Sequence, residues 1–194
     1  MRIKFFNKRC LSAIILIQYS GHDAAIKQSS NRLMNFISKT LSPARVALDV
    51  DLTSKKRLFE QIGLMFENEN RIARANVFDA LFAREKLGST GLGFQVAIPH
   101  GRIKNLRDTA AVFIRAKEGI PFESPDGEPV RLVFAMLVPE HATEQHLNML
   151  SELAQMFSDE ALRDALLSEA DPVTIHNLLT NWSPYATIER TAAL

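Results

Sequence analysis

This chain of 194 residues contains almost no cysteine and no apolar run long enough to span a membrane. Cys10 is the only cysteine, so the chain can form no internal disulfide bond and no multi-thiolate metal site. The apolar run from Leu11 to Ile17 is much shorter than the ~20 residues that span a bilayer. We therefore expect neither a disulfide framework nor stable insertion into a membrane.

A strong net charge is also lacking, because 23 basic residues are balanced by 22 acidic ones. Residues 1–33 contain six of the basic residues and only one acidic residue, which leaves the remainder of the chain mildly acidic. Nucleic acid binding requires a basic face that attracts the phosphate backbone. We therefore expect no nucleic acid partner, whereas a protein partner or a locally held small anion fits this charge balance.

The first 33 residues differ in character from the rest of the chain. Basic residues precede the apolar run Leu11–Ile17, an order that is typical of a secretory signal. The alternatives are a disordered tail and a mis-called start, with translation beginning at Met34, which we prefer. We then expect a cytoplasmic protein with a lead-in at 34–50, one domain at 51–182 and a loose C-terminal tail at 183–194.

Apolar periodicity predicts an α/β fold in the remaining residues. Helical spacing predicts one helix over 54–67, capped by Thr53 or Ser54, and a second from about Asn76 that ends before Gly88. Alternation predicts a strand over 94–99, a second strand covers 110–116, and the apolar run 130–138 predicts a central strand. Three further helices follow Pro139, the last two capped by Asp159 and Asp171.

His100 follows the proline that ends the first predicted strand. A neutral imidazole that faces solvent can accept a phosphoryl group, and an unperturbed histidine is mostly neutral near pH 7. A histidine in this position can equally serve a structural role at the end of the strand. Spacing alone does not separate these two interpretations.

A potential anion-binding segment lies just before this strand. Arg84, in the last turn of the second predicted helix, can bind phosphate through its guanidinium, or can simply complement the helix dipole. The loop that follows supplies N–H groups and two hydroxyls, or is an ordinary turn; its residues are Gly88, Ser89, Thr90 and Gly91. The glycine order matches neither the Walker nor the dinucleotide-binding pattern, so we expect no nucleotide cofactor.

The other histidines provide little support for a metal site. His141 and His146 are spaced as a His-x4-His pair, but no Glu-x-x-His carboxylate motif accompanies them. His146 begins an apolar helical stripe, where a half-buried core histidine is the common case. We expect no bound metal.

Three blocks together resemble a known family: residues 84–93, residues 97–102 and residues 146–154. They are similar to the mannitol/fructose-type EIIA domains of the bacterial phosphoenolpyruvate-dependent phosphotransferase system, especially to the nitrogen-regulatory branch. The resemblance extends over about Asp51 to Trp182. It differs at Phe94 and Gln95, where members of that branch commonly have Gly-Asn-Gly before the strand.

The resemblance implies a fold and a set of roles. The fold is a mixed central sheet of about five strands with helices on both faces. His100 would accept a phosphoryl group from an HPr-like carrier, Arg84 would stabilise the phosphohistidine, and His146 would be the second imidazole of the site. The regulatory branch further implies that the phosphorylation state signals to target proteins such as kinases or transporters.

Two other functions remain open at this stage. A sugar-specific EIIA component would pass the phosphate to an EIIB domain for uptake, although this chain carries no permease segment. A pure protein-binding module would never be phosphorylated at all.

Overall fold

The computed structural model describes residues 37–141 and 144–182, with the backbone alone described for 144–148. The predicted leader, the proposed start at Met34 and the tail at 183–194 lie outside the described residues. The same holds for the side chain of His146. Within the described ranges, no helix has both the length and the apolar character needed to cross a bilayer.

The described chain alternates between strands and helices. A 3-10 turn, Pro43–Arg45, leads into strand β1, and a central strand-rich region is followed by three helices. The elements in order are β1 (Val46–Val50), α1 (Lys55–Asn70), α2 (Arg74–Glu85), β2 (Gly91–Gly93), β3 (Val96–Ala97), β4 (His100–Ile103), β5 (Ala110–Ile120), β6 (Val130–Pro139), α3 (Glu144–Ser158), α4 (Glu160–Ser168) and α5 (Pro172–Thr180).

The strands form one mixed sheet in the order β1-β5-β6-β3-β2, with β4 also paired to β6. β1 runs parallel to β5, while β5 is antiparallel to β6. β3 and β4 lie along the same side of β6 in one continuous register, because Val96 is opposite Leu132 and His100 is opposite Met136. Counting β3 and β4 as one line gives five strands, so the predicted mixed sheet of about five strands is confirmed.

Helices cover both faces of this sheet, as predicted. α1 and α2 pack on one face through buried residues that include Phe59, Phe66 and Leu81. The other face is covered by α3, α4 and α5, with Phe157 and Leu166 among the buried residues. β6 is the central strand and is almost entirely buried, which confirms the interpretation of the run 130–138.

The helix starts follow mostly from their capping residues. Ser54 accepts a hydrogen bond from Arg57 N at 3.3 Å and begins α1, and Asp159 and Asp171 cap α4 and α5 as predicted. The predicted cap at Asn76 is wrong. α2 begins at Arg74 after Ala73, which has no capping side chain, and the Arg74 N–H instead donates to Glu67 Oε1 of α1 at 3.3 Å.

The predicted strand over 94–99 is also wrong in its limits. Phe94 and Gln95 both have positive φ angles, 52° and 63°, and form the two-residue turn of a hairpin between β2 and β3. The predicted strand is interrupted a second time at Pro99, which has no N–H to donate and lies between β3 and β4. His100 therefore begins strand β4 and does not follow the end of a strand.

Residues 37–50, expected to be a lead-in, contribute to the core. Val46–Val50 form the edge strand β1 on β5. Ile37 and Leu41 are buried against the face that α3, α4 and α5 cover. The apolar residues before the first predicted helix are therefore part of the fold. A segment of five residues is too short for its periodicity to predict this.

Candidate functional site

Helix α2 reaches the sheet through one close contact with strand β4. A side chain at Gly101 would place its Cβ 2.9 Å from the Cβ of Ala80, so only glycine allows the helix to approach this closely. Residues four apart on a helix lie on the same face. The approach at Ala80 therefore brings Arg84, one turn later, against the residue that precedes Gly101.

That residue is His100, whose ring is held at both nitrogens. Nδ1 lies 2.9 Å from Ile98 O, and Arg84 Nε donates to Nε2 at 3.0 Å. A carbonyl oxygen only accepts, so the ring proton is on Nδ1, and Nε2 carries the lone pair. Nε2 is therefore the ring nitrogen whose lone pair accepts the hydrogen bond from Arg84.

Burial favours the neutral form of this imidazole. Desolvation lowers the pKa of His100, and the positive charge of Arg84 lowers it further, while the bond to Ile98 and the charge of Glu85 partly oppose the shift. The folded state therefore favours the unprotonated form, which a nucleophile requires.

The guanidinium of Arg84 is also anchored on its other side. Its Nη1 donates to Gly88 O at 2.9 Å, while its Nε is directed to His100. Arg84 occupies the last turn of α2, as the sequence predicts. Two bonds thus fix the plane of the guanidinium beside the imidazole.

The glycine-hydroxyl loop lies next to this pair, but its polar groups bond within the fold. Ser89 Oγ donates to Phe122 O at 2.5 Å, and Thr90 Oγ1 donates to Glu85 Oε2 at 2.6 Å. The N–H groups of Gly88, Thr90 and Gly91 also have internal acceptors. Gly91 belongs to strand β2, not to the loop. A phosphate-binding role for Gly88, Ser89, Thr90 and Gly91 stays a prediction.

Glu85, the last residue of α2, was not predicted from the sequence. Its side chain is buried and receives Lys55 Nζ at 2.7 Å on one oxygen and Thr90 on the other. A signal was present, because Val77, Leu81 and Glu85 follow one another at four-residue spacing on the buried face of α2. A carboxylate in an apolar stripe indicates a paired charge.

A groove of about 500 Å³ opens over His100. Its walls are mostly apolar and include Ala83, Leu87 and Leu150, while Arg84 and Arg102 supply positive charge. Leu87 is among the most exposed large apolar side chains of the described residues. An open apolar groove with a cationic edge is suited to a protein partner that carries an anionic group.

His146 lies in the first turns of α3 by its backbone, and its side chain is outside the described residues. Its predicted place beside His100 therefore stays a prediction. Among residues 37–141 and 144–182, no group of three or more His, Cys, Asp or Glu side chains could hold a metal ion.

Comparison with known proteins identifies the family of the chain. The family described as "Phosphoenolpyruvate-dependent sugar phosphotransferase system, EIIA 2" matches residues 39–182. A nitrogen regulatory protein of Pseudomonas aeruginosa is 36% identical over 146 residues, which cover 75% of this chain and 95% of the relative.

Solved structures show the same fold. Nitrogen regulatory protein IIA-Ntr from Neisseria meningitidis is similar with a TM-score of 0.71 and 47% identity, covering 74% of this chain and 98% of that one. IIA mannitol from Escherichia coli is similar with a TM-score of 0.60 and 25% identity, covering 72% and 99%. The chain therefore belongs to the EIIA 2 family of the phosphoenolpyruvate-dependent sugar phosphotransferase system.

Proposed function

We propose that this protein is a phosphoryl-carrier regulator of a phosphoenolpyruvate-dependent relay. The observation that carries the proposal is the pair Arg84 and His100, in which the Nε2 lone pair of a neutral imidazole accepts a hydrogen bond from a fixed guanidinium. The nitrogen regulatory relatives support the regulatory role. The phosphorylation state of His100 then signals to target proteins, such as kinases or transporters, in the cytoplasm.

The chemical step is the transfer of a phosphoryl group between two imidazoles. Arg84 Nε–H releases His100 Nε2, and the freed lone pair attacks phosphorus in the phosphohistidine of an HPr-like carrier, so that a new N–P bond forms. The N–P bond in the carrier breaks, and its electron pair returns to the carrier's ring. No oxidant, metal or proton donor is needed for this balance.

The surroundings of His100 favour the product of this step. Phosphorylation of Nε2 while Nδ1 keeps its proton gives the ring positive character, which Ile98 O stabilises through its hydrogen bond. Before the transfer the guanidinium of Arg84 donates to Nε2 of His100. After the transfer it binds the phosphoryl oxygens. His146, whose helix follows β6, is proposed as the second imidazole of the site.

A sugar-specific role is the second candidate, and the similarity to IIA mannitol favours it. In that case His100 passes its phosphate to an EIIB domain for sugar uptake. The two functions share the transfer of phosphate to His100 and differ only in the partner that the phosphorylated protein binds next.

The test is a reconstituted relay. Incubation of the full chain with phosphoenolpyruvate, the first enzyme of the relay and an HPr-like carrier should produce one acid-labile, hydroxylamine-sensitive phosphate. His100→Ala should abolish the label, and Arg84→Lys should slow labelling or shorten the life of the phosphate, because an ammonium cannot reproduce the planar fork. His141→Ala, which removes an exposed histidine outside the pair, is the matched control.

The outcome separates the candidates. Failure of the wild-type protein to take up phosphate from a competent carrier would leave only the unphosphorylated binding module. Rapid loss of the label to a fructose- or mannitol-type EIIB domain would favour sugar uptake over regulation.

A further inference from the structure

Glu85 occupies a place where a carboxylate is electrostatically unfavourable. It ends α2, where the aligned peptide dipoles already create partial negative charge, and it is only 8% exposed. A buried charge persists only when it is paired and hydrogen-bonded. The partners of Glu85 therefore decide whether this end of α2 keeps its structure.

Those partners, Lys55 and Thr90, come from two separate segments. Lys55 Nζ, in the first turn of α1, donates to Glu85 Oε1 at 2.7 Å and to Phe122 O at 3.2 Å. Thr90 donates to Glu85 Oε2 twice, from its N–H at 3.1 Å and from its hydroxyl at 2.6 Å. The carboxylate thus joins the start of α1, the end of α2 and the start of the β2–β3 hairpin.

This arrangement also closes the loop that holds Arg84. Gly88 O, the acceptor for Arg84 Nη1, belongs to the short segment between Glu85 and Thr90. Gly88 has a φ of 145°, a conformation that glycine adopts at little cost. Because glycine also adopts many other conformations easily, this residue does not itself make the loop rigid. The carboxylate bridge between the two ends of the segment adds to the constraint from the Gly88 N–H bond to Glu85 O and the Ser89 bond to Phe122 O.

We propose that Glu85, with Lys55 and Thr90, positions the guanidinium of Arg84 against His100 for phosphoryl transfer. The inference rests on the proposed function. Thr90 then acts through Glu85 and does not touch the phosphate. Glu85 is a positioning residue, because none of its bonds reaches His100.

Glu85→Gln is the first test. An amide has one acceptor oxygen where the carboxylate has two, so it cannot satisfy both Lys55 and Thr90. We expect the maximal rate of phosphoryl acceptance to fall about tenfold, the loss typical of one charged hydrogen bond, while the KM for the carrier stays unchanged. The control is Glu123→Gln, because exposed Glu123 lies 3.6 Å from the same Lys55 without contacting the loop.

Thr90 provides a second test that does not depend on the fold of Glu85→Gln. Thr90→Ser keeps the hydroxyl and should retain the wild-type rate, whereas Thr90→Val loses the hydroxyl bond but keeps the N–H bond to Glu85 and should lose no more than Glu85→Gln. The double variant Glu85→Gln, Thr90→Val should be no slower than either single variant, since both break one linkage. Fully additive losses would show that Thr90 acts independently of Glu85 and would overturn the proposal.

A measurement without phosphate separates this inference from the proposed function. The ¹⁵N resonance of Arg84 Nε in the unphosphorylated protein should shift in Glu85→Gln and Thr90→Val but not in Glu123→Gln. If the resonance and the transfer rate are both unchanged in folded Glu85→Gln, the positioning role is refuted. If wild-type protein accepts no phosphate, the proposed function fails, while the resonance still reports whether Glu85 orients Arg84.

Discussion

At the scale of the residue, burial sets the protonation of His100. Desolvation is the largest cause of its lowered pKa, ahead of the opposing hydrogen bond from His100 to Ile98 O and the charge of Arg84. The ¹H NMR titration of its Cε1 proton should therefore have a midpoint below the ordinary value of about 6.5. A peptide with the sequence of residues 97–103 is the control, and a native midpoint at or above that of the peptide would contradict the prediction.

The same shift links stability to pH. The unfolded state binds a proton at His100 near pH 6.5, before the folded state does, so the unfolded state gains stability as the pH falls. The contribution of neutral His100 is therefore complete above about pH 6.5 and is lost as the pH falls towards the lower folded pKa. Phosphoryl acceptance should correspondingly persist below pH 6.5, where a solvent-exposed imidazole would already be protonated.

At the scale of the element, the β2–β3 hairpin keeps two ordinary residues in the left-handed region. Phe94 and Gln95 have φ angles of 52° and 63°, a turn that favours Asn and Gly. Phe94 is 62% exposed, its N–H donates to Asp126 at 2.6 Å, and its ring lies 4.7 Å from the guanidinium carbon of Arg163. Tertiary contacts therefore hold a turn that its own residues disfavour.

Relief of this strain should stabilise the protein. Gln95→Gly is expected to raise the free energy of unfolding by about 0.5–1 kcal/mol, measured by urea denaturation, because glycine adopts positive φ without steric cost. The same exchange at Gln61, inside helix α1, should lower it by about 1 kcal/mol. A destabilised Gln95→Gly would show that the side chain of Gln95 contributes more than its backbone conformation costs.

At the scale of the whole molecule, Arg115 joins three parts of the fold. It is 3% exposed on β5, its guanidinium pairs with both oxygens of Asp49 on β1, and it donates to Leu166 O and Glu169 O at the end of α4. The hydrogen bond from Arg115 is the main reason that the pKa of Asp49 is lowered. A cation at the C-terminus of a helix also complements its dipole.

Loss of that guanidinium should weaken the whole domain. Arg115→Met keeps the apolar stem but leaves carbonyls at the end of α4 without their donor, so we expect a loss of about 2 kcal/mol in the free energy of unfolding. Thermal and urea denaturation would measure it. Exposed Arg107→Met is the control and should change stability by less than about 0.5 kcal/mol.

Local signals in the chain were sufficient for much of this structure. Ser54, Asp159 and Asp171 define the starts of their helices, since a side chain oxygen near free N–H groups acts over only three residues. The apolar run 130–138 likewise indicates a strand buried on both faces. Shorter strands have too few residues to be predicted in this way. Strand β1 and the separation of β3 from β4 are defined only by their pairing with β5 and β6.

The sequence by itself determined the α/β class, the central strand, the position of Arg84 in the last turn of a helix and the resemblance carried by the blocks around His100. Each of these depends on residues close together in the chain. Only the tertiary structure decided that Gly101 brings α2 onto β4, that Nε2 of His100 carries the lone pair, and that Glu85 holds the loop beside Arg84. Those features require contacts between segments that are distant in sequence, and neither periodicity nor spacing encodes the distances between them.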